Sequence, residues 1–451
     1  MIPAALSLLL LVSPAPAAVP VFSTQLEEAV TAALASSERL RASEHDLAAA
    51  RERSGAAGSP LWPRISLDAS WRYIGVIPEM AIVPGRPKVE FGSHDNWSVG
   101  PALNWIAWDW GSTYRNWQAA KTLADAKAED VALIRRQVRL AAAVAYVGVQ
   151  MAVETVMVLG DSVALASTQY SDISLRLRAG AASRLDVLQA HQAVLARQRE
   201  FTAARTALGA ALQDLLDVTG ESATRYDTSF PLDGATAAAP PPETTPATLV
   251  VAPDAIESSV VALEAGAAVA LPDPGHPAVA SLARMADAAR EAAGGVRASR
   301  LPAIAVTGKV SREYPNGPVL EDITQRTFGV SASLPLFEGF RRARAEADQR
   351  EQARALEARR DGAAADYSRD WRKAQDALAG LRVQRTTNRR AAEEAGELAR
   401  LTYAAYMTGQ ARLIEVQTAN LGELQARVQE TRTKAEMLVQ IALIRSLSKE
   451  E

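Results

Sequence analysis

Four histidines are the first side chains to consider for chemistry, because histidine titrates near neutral pH and is the commonest metal ligand. They lie far apart in the chain and lack the short spacing that brings two ligands onto one helix face: His45, His94, His191 and His276. We interpret each of them as a surface or helix-capping residue. The chain also lacks the GxSxG, HExxH, phosphate-loop and dinucleotide-binding motifs. The sequence therefore predicts a protein that is not an enzyme and that has no metal site and no cofactor.

Acidic residues are the second candidates, since two of them stand at the same place in two copies of one pattern. In RAGAASRLDVLQA, Asp186 comes six residues after Gly180. In YMTGQARLIEVQTA, Glu415 comes six residues after Gly409. The two glycines are 229 positions apart, and the two acidic residues have the same separation. From the residues alone, each carboxylate is interpreted as a helix cap or a solvated charge.

The duplication extends well before these turns. The first copy opens as NWSVGPALNWI and passes through WDWGS, whereas the second opens as TFGVSASLPLFEGFRR. Asp109 of the first copy and Glu338 of the second are again 229 positions apart. One register therefore holds through roughly seventy helical residues, which indicates an internal duplication.

Composition limits the class of protein. The 451 residues are 48% hydrophobic and 22% charged with a net charge of −3, which excludes a disordered chain and a basic nucleic-acid binder. The absence of cysteine excludes disulfides, thiolate metal sites and an N-terminal lipid-modified Cys. The apolar start of the chain predicts a signal peptide at 1–18, although no Lys or Arg precedes Arg39, and the alternative is a buried N-terminal helix. No other run is expected to reach the length of a membrane-spanning helix.

Each copy is predicted to contain a helix, two strands and two further helices. The first repeat, 23–220, has a helix at 23–57, strands at 64–74 and 96–106, a long helix at 111–178 and a helix at 183–218. The second repeat, 275–447, has a helix at 276–300, strands at 303–314 and 326–336, a long helix at 340–407 and a helix at 411–447. Between them, 221–274 is an Ala/Pro-rich linker that we expect to be loosely structured on the outside of the helical body. A proline-free helix of this length would be roughly 100 Å long, and its apolar spacing is like that of a coiled coil.

The four strands alternate between polar and apolar residues over about ten positions, which is typical of an outer-membrane barrel strand. A half-buried sheet in a soluble protein shows the same alternation, and the strands alone do not decide between the two. The residues predicted to face lipid are Ile65, Leu67, Trp71, Trp97, Val99, Leu103, Ile304, Val306, Val310, Phe328, Val330 and Leu334. Four strands cannot close a membrane barrel, so strands in lipid would have to be pooled, giving eight from two chains or twelve from three.

With these motifs in place, the chain resembles the outer membrane efflux proteins, the TolC family. The resemblance covers nearly all of the chain except the linker. It implies a homotrimer in the outer membrane of a Gram-negative-type envelope, with a shared twelve-stranded barrel continuous with a periplasmic helical tunnel. It also implies a passive conduit for a tripartite efflux or type I secretion system. The implied partners are outer-membrane lipid, a periplasmic adaptor (membrane fusion) protein and an inner-membrane pump of the RND or ABC type, with no nucleic acid.

The resemblance also assigns residues at the periplasmic tip. Gly180 and Gly409 fall at the two hairpin turns there. Glu415 falls where three copies can form an acidic constriction, and Thr418 stands where a second acidic position would lie. Asp186 falls at a further tip contact.

One more tip contact follows from the resemblance. Tyr406 matches a tyrosine that can hydrogen-bond to the position of Asp186 across helices. The basic residue that would join them is replaced by Ala411, next to Arg412.

Two alternatives belong to other classes of protein. An exported structural protein could use the long helices as a coiled-coil stalk and the small sheet as a soluble head, and it would be extracted without detergent. A diffusion porin is disfavoured, because porins consist mostly of strands whereas here four short strands accompany two long helical hairpins.

Overall fold

The computed structural model describes residues 21–22, 26–80, 89–90, 92–220, 250–251, 254–269, 271–317 and 319–449. The predicted signal peptide and much of the predicted linker lie outside the described residues. The described chain is mostly α-helical with one four-stranded sheet, so the predicted fold class is confirmed. The helices are α1 (Leu26–Ser36), α2 (Glu38–Gly58), α3 (Ser112–Arg178), α4 (Arg184–Thr219), α5 (Ile256–Val269), α6 (Pro277–Ala298), α7 (Arg341–Met407) and α8 (Leu413–Leu447).

The strands fall into one main sheet and two short pairs. The main sheet contains β2 (Arg64–Tyr73), β5 (Asp95–Trp108), β7 (Ala303–Tyr314) and β8 (Ile323–Ser333), antiparallel in the order β2, β5, β7, β8. The two-residue strands are β1 (Val21–Phe22), β3 (Glu79–Met80), β4 (Val89–Glu90) and β6 (Val250–Val251). Strand β1 pairs in parallel with β6, and β3 pairs antiparallel with β4. The central pairing, β5 with β7, joins the two copies of the repeat.

The repeat is visible in the helix lengths and in the turns before the long helices. Helices α3 and α7 are both 67 residues long, and α4 and α8 have 36 and 35 residues. Before α3, Trp110 and Gly111 both have positive φ angles, 58° and 81°. Before α7, Gly339 and Phe340 have φ angles of 58° and 63°. The same left-handed pair, 229 positions apart, turns each strand into its long helix, which confirms the two-fold repeat.

The chain forms two compact units. One comprises 1–40, 135–274 and 367–451, and the other comprises 41–134 and 275–366. The first holds the hairpin turns of the long helices and helix α5, and we call it the hairpin unit. The second holds the main sheet, and we call it the sheet unit.

In the sheet unit, helices α3 and α6 approach each other closely near the sheet. Ser112 Oγ donates a 2.8 Å hydrogen bond to the carbonyl of Gly295. A Cβ atom on Gly295 would lie 2.4 Å from the side-chain oxygen of Asn116, so this crossing requires a residue without a side chain.

Strand β8 corrects the prediction of a strand at 326–336, since it covers Ile323–Ser333 instead. Leu334, predicted to face lipid, therefore lies just beyond the strand. Ser333 pairs with Ala303, the first residue of β7, so no partner strand continues past it. Pro335 has no N–H and cannot extend the ladder.

Helix α5 corrects the prediction that the whole linker is loosely structured. Ile256 and Val260 are buried on one side of α5, against Val147 of α3, Leu378 of α7 and Met437 of α8. Residues four apart lie on the same helix face, so this short helix can bury an apolar stripe.

The first predicted helix is also interrupted. Helices α1 and α2 meet at Ser37, whose Oγ accepts a hydrogen bond from the Leu40 amide at 3.2 Å. Serine starts a new helix well because its side chain satisfies one of the free amides of the first turn. Behind α1, Ala29 packs in a buried cluster with Tyr146 of α3 and Leu212 of α4.

One helix contradicts the expectation that no run other than the signal peptide approaches the length of a membrane-spanning helix. Helix α3 contains an 18-residue window with a mean hydropathy of 1.7, and 44% of that window is buried within the chain. A core helix of a helical bundle meets the same criteria of length and composition, so this window does not identify a span.

Candidate functional site

The main sheet has one apolar face, defined by the odd-numbered residues of β2, those of β5 as far as Trp105, and the even-numbered residues of β7 and β8. A register shift near the end of β5 then places Trp108 opposite Ile304 on the same face. Cross-strand pairs on this face include Ile65 with Leu103, Trp97 with Tyr314 and Val306 with Val330. Partners directly opposite each other in a ladder point to the same side. The register therefore places every predicted lipid-facing residue on this one face, except Leu334, which lies outside the strands.

No described part of the chain covers the apolar face. Leu67 is 75% exposed, Val330 is 66% exposed and Phe328 is 77% exposed. Large apolar side chains left open in this number on one surface mark a surface that contacts lipid or another protein. Aromatic residues gather at the loop end of the face, where the rings of Trp97 and Tyr314 stack with centroids 6.2 Å apart.

The opposite face of the sheet is polar. Glu313 accepts hydrogen bonds from Ser311 Oγ at 2.6 Å, Lys309 Nζ at 3.1 Å and Ser98 Oγ at 3.2 Å. Lys309 also donates to Ser98 at 3.1 Å. One face of the sheet therefore suits lipid and the other suits water.

In the hairpin unit, the predicted glycines do form the two turns. Gly180 has a φ angle of 77° and Gly409 one of 81°, which glycine adopts without strain. After α3, the Ala181 amide donates to the Arg176 carbonyl at 2.8 Å. After α7, the equivalent bond runs from the Gln410 amide to the Ala405 carbonyl at 2.9 Å.

Asp186 caps the start of α4. Its carboxylate accepts hydrogen bonds from the Ser183 amide at 3.0 Å and from Ser183 Oγ at 2.8 Å. In return, the Asp186 amide donates to Ser183 Oγ at 3.1 Å, which completes a capping box.

Glu415 holds the equivalent place in α8, where its carboxylate accepts a 3.2 Å hydrogen bond from the Arg412 amide. The side chain is otherwise exposed to solvent. One turn later, the hydroxyl of Thr418 donates to the Ile414 carbonyl of its own helix at 2.8 Å. Glu415 is therefore both a helix cap and an exposed charge beside a hairpin turn.

Contacts between the two hairpins are made by other residues. Tyr403 of α7 donates a 2.7 Å hydrogen bond to the carboxylate of Asp172 on α3. Arg176 Nη2 donates to the Met407 carbonyl at 2.8 Å, and its Cζ atom lies 5.7 Å from the centroid of the Tyr406 ring. These contacts hold the end of α7 against the end of α3.

Tyr406 differs from what the resemblance implied. Its ring lies under Arg176, while Asp186 bonds within its own capping box. Burial, and then the negative charge of Asp186, raise the pKa of Tyr406. The effect of Asp186 on Tyr406 is therefore one of charge. Arg176 therefore places a positive charge beside Tyr406.

Sequence reasoning missed Asp172, Arg176 and Tyr403 for a definite reason. The positions 229 residues away are Leu401, Ala405 and Ser174, so none of the three is shared by both copies. A comparison of the two copies finds the turns and caps that both use, but not contacts made between unlike residues. The sequence did offer one signal for Arg176, namely the basic residues in the last turn of α3. Basic side chains interact favourably with the free carbonyls at the end of a helix.

Below these contacts is a small core and an open groove. Ile173, Leu413 and Val416 are buried together. Beside them, a groove of about 580 Å³ is lined by apolar residues and amides of α3, α4 and α8, among them Leu165, Leu188 and Gln417.

The histidines make structural contacts, and the ring of His94 stacks on that of Tyr73 with centroids 5.4 Å apart. His276 caps α6 through a 3.4 Å contact with the Ala278 amide, and the ring of His191 lies against Tyr170 with centroids 5.0 Å apart. Within the described ranges, no group of three or more His, Cys, Asp or Glu side chains is arranged to hold a metal ion.

Comparison with known proteins supplies the family and the fold. The sequence profile of the family described as outer membrane efflux protein matches residues 29–221 and 275–448, one segment in each repeat. No curated protein sequence matches significantly.

Solved structures match over nearly the full chain. A CusC structure, solved in work on its folding and transmembrane channel formation, has a TM-score of 0.75 at 14% identity, covering 95% of this chain and 93% of that one. The outer membrane protein VceC of Vibrio cholerae has a TM-score of 0.72 at 16% identity, covering 94% and 95%. The outer membrane channel CmeC of Campylobacter jejuni has a TM-score of 0.71 at 16% identity, covering 94% and 87%. At these identities, the likeness establishes the fold.

Proposed function

The chain belongs to the outer membrane efflux protein family, and we propose that three copies of it form one duct through which an inner-membrane pump exports substrates. Membership confirms the resemblance drawn from the duplicated motifs. It makes the protein an efflux component of the outer membrane, with its helices on the periplasmic side. The assembly, the tip gate and the partners described below are our proposals.

The main support for a trimer is that the sheet has two unpaired edge strands and an exposed apolar face. Among the strands that the structure describes, β2 and β8 each have a neighbour on one side only, while the apolar face is exposed. In lipid, each unpaired backbone group costs several kcal/mol, so the edges must pair with other chains. Eight strands make a barrel filled by its own side chains, whereas twelve strands from three chains leave a lumen lined by the polar face.

The hairpin turns are the place where we propose that the duct closes. Threefold symmetry would bring three copies of Glu415 around the axis and form an acidic constriction at the tip. The contacts of Arg176 and Tyr403 would hold the α7–α8 hairpin against the α3–α4 hairpin in the closed state. The Neisseria gonorrhoeae MtrE outer membrane channel, which has this fold, has been solved in an open state, and we propose by analogy that this chain opens at its hairpin turns.

We infer that the partners meet the duct at its helical end. A periplasmic adaptor would dock there and connect it to an inner-membrane pump of the RND or ABC type. The duct itself would be passive, since its described surfaces offer charge and shape but no catalytic group. Efflux by a tripartite pump and type I secretion both use such a conduit.

The deciding measurement is the mass of the particle extracted from washed membranes in mild detergent, corrected for bound detergent. The proposal predicts about three chains per particle, found in the outer-membrane fraction. The rival, an exported coiled-coil stalk with a soluble β head, predicts release of one or two chains by buffer alone. That result would overturn the duct.

A further inference from the structure

Two arginines interrupt the apolar face of the sheet near its loop end. Arg312 of β7 lies opposite Thr324 of β8, and Arg326 of β8 lies opposite Val310 of β7. The two arginines are therefore diagonal neighbours on one face, with Cβ atoms about 7–8 Å apart.

Both arginines lie close to the loop that joins β7 to β8. Arg312 is two residues from the end of β7, and Arg326 is three residues from the start of β8. At about 3.3 Å per residue, both are within roughly 10 Å of the end of their strands. The other end of the sheet joins the helices, so the arginines belong to the side of the membrane away from the periplasm.

Their guanidinium groups are not fully used within the chain. Arg312 forms an ion pair with Asp322, and its side chain remains 65% exposed. Arg326 is exposed and makes no ion pair with any residue that the structure describes. Each guanidinium carries five N–H donors, which makes ten for the two arginines. The single carboxylate of Asp322 can accept from only a few of them.

The surroundings are those of an interface between apolar lipid and polar head groups. On the side of the arginines towards the helices, Phe328 lies on the same face and is 77% exposed. On the side towards the loops, the rings of Trp97 and Tyr314 stack. Among the paired positions of the apolar face, the only other charge is Asp95, at the last pair of β2 and β5. Charge is thus confined to the loop end of the face.

An arginine on a lipid-facing strand is destabilising at mid-depth and tolerated near the interface. Its long side chain can extend from apolar surroundings to the head groups. The planar guanidinium matches a phosphate group through paired hydrogen bonds, more closely than a lysine does.

We propose that Arg312 and Arg326 bind the phosphate group of an anionic lipid in the outer leaflet of the outer membrane. The inference rests on the proposed function, because it requires the apolar face to contact lipid. The bound lipid would fix the depth of the barrel in the membrane.

Native mass spectrometry of the particle tests this, with diphosphoryl lipid A and phosphatidylcholine as the two probes in detergent micelles. We expect selective retention of lipid A, weakened at least tenfold when Arg312→Gln and Arg326→Gln are combined. Arg72→Gln is the matched control, since Arg72 lies near the same end of β2 but opposite Asn96 on the polar face. It should leave lipid A binding unchanged. Millimolar inorganic phosphate should not compete at constant ionic strength.

Equal retention of lipid A by the wild type and the double variant would overturn the proposal. Displacement of lipid A from the wild type by millimolar inorganic phosphate would also overturn it. If the double variant does not assemble, Arg326→Lys provides a milder change that keeps the charge but loses the paired geometry, and it should weaken retention. The spectrum also counts the chains in each particle. A three-chain particle without selective lipid A would end this inference alone, whereas a particle of one chain would contradict the proposed function.

Discussion

The guanidinium of Arg176 lies over the ring of Tyr406, with its Cζ atom 5.7 Å from the ring centroid. The same side chain donates to the carbonyls of Tyr406 and Met407 at 3.5 and 2.8 Å in the last turn of α7, where helix carbonyls lose their helical amides. The Tyr406 carbonyl also accepts from the Gly409 amide at 3.0 Å. One arginine of the first repeat therefore caps and covers the end of a helix in the second. The contact of Arg176 with the end of α7 is therefore the strongest candidate for one that must break when the duct opens at the hairpin turns.

Arg176→Gln should favour the open tip. Hydrogen bonds to charged groups contribute about 1.5–3 kcal/mol, and because Arg176 is only partly buried, we expect a value at the low end. Since about 1.4 kcal/mol corresponds to a factor of ten, we expect roughly tenfold more open channels in planar-bilayer recordings. Arg178→Gln, in the same helical turn but exposed, is the control. If both variants behave like the wild type, Arg176 does not hold the tip closed.

Tyr403→Phe removes the second contact between hairpins while keeping the ring. A double-mutant cycle with Asp172→Ala, which removes the acceptor, should give a coupling energy of about 1–2 kcal/mol, measured from channel opening. Tyr170→Phe is the control, because its ring lies against His191. Additive effects of the two substitutions would show that the 2.7 Å hydrogen bond does not contribute to closure.

The same contact gives a prediction for alkaline pH. Burial first, and then the hydrogen bond to Asp172, raise the pKa of Tyr403 above its usual value. A raised pKa means that the contact contributes fully below the unfolded pKa of about 10 and is lost as the pH rises through the folded value. The protection of amides at the hairpin turns, measured relative to the intrinsic exchange rate at each pH, should therefore stay constant up to about pH 10 and fall only above it.

Much of the fold could be predicted from the sequence. Strands show as an alternation of polar and apolar residues and the long helices as proline-free runs, and both patterns depend only on residues close together in the chain. The end of β8 was not read correctly, although Pro335 was a visible signal that the ladder must stop. Helix α5 was missed because small residues surround Ile256 and Val260 and weaken the apolar stripe. The contacts between hairpins could not be found from the repeat, since Arg176 and Tyr403 have no counterpart in the other copy.

The lipid-facing surface predicts a strong dependence on which side of the sheet is changed. Val330→Arg should lower the free energy of unfolding by about 2–4 kcal/mol if this position lies near mid-depth in lipid. Ser331→Arg is the matched control, because the next residue of β8 points to the polar face. Urea titration of the protein refolded in lipid vesicles measures both. Similar stability of the two variants would favour a soluble sheet.

Helix α5 should detach in acid. Glu257 bonds to Arg385 and lies 3.4 Å from Lys434, and these cations outweigh burial and lower the pKa of Glu257. A lowered pKa means that the contribution is present above the unfolded pKa of about 4.3 and is lost as the pH falls through the folded value. The protection of α5 amides, measured relative to the intrinsic exchange rate at each pH, should fall below about pH 4, and Glu257→Gln should lower this protection at pH 7.

The exposed pair of Glu397 and Arg400, 4.0 Å apart, provides the control for α5. Glu397→Gln should change nothing in the exchange of α5, since surface pairs contribute little. Unchanged exchange in Glu257→Gln would mean that the apolar contacts of Ile256 and Val260 hold α5 without its charges.

Cation selectivity tests the proposed ring at the tip, and the capping role of Glu415 determines which variants are informative. Glu415→Gln removes the charge but keeps an oxygen that can accept from the Arg412 amide, whereas Glu415→Ala removes both. If three carboxylates surround the axis, both variants should reduce the preference for cations to a similar extent, measured as the reversal potential across a salt gradient. If Glu415 acts only as a cap, Glu415→Gln should match the wild type, and Glu415→Ala should weaken the start of α8 by about 1 kcal/mol without changing selectivity.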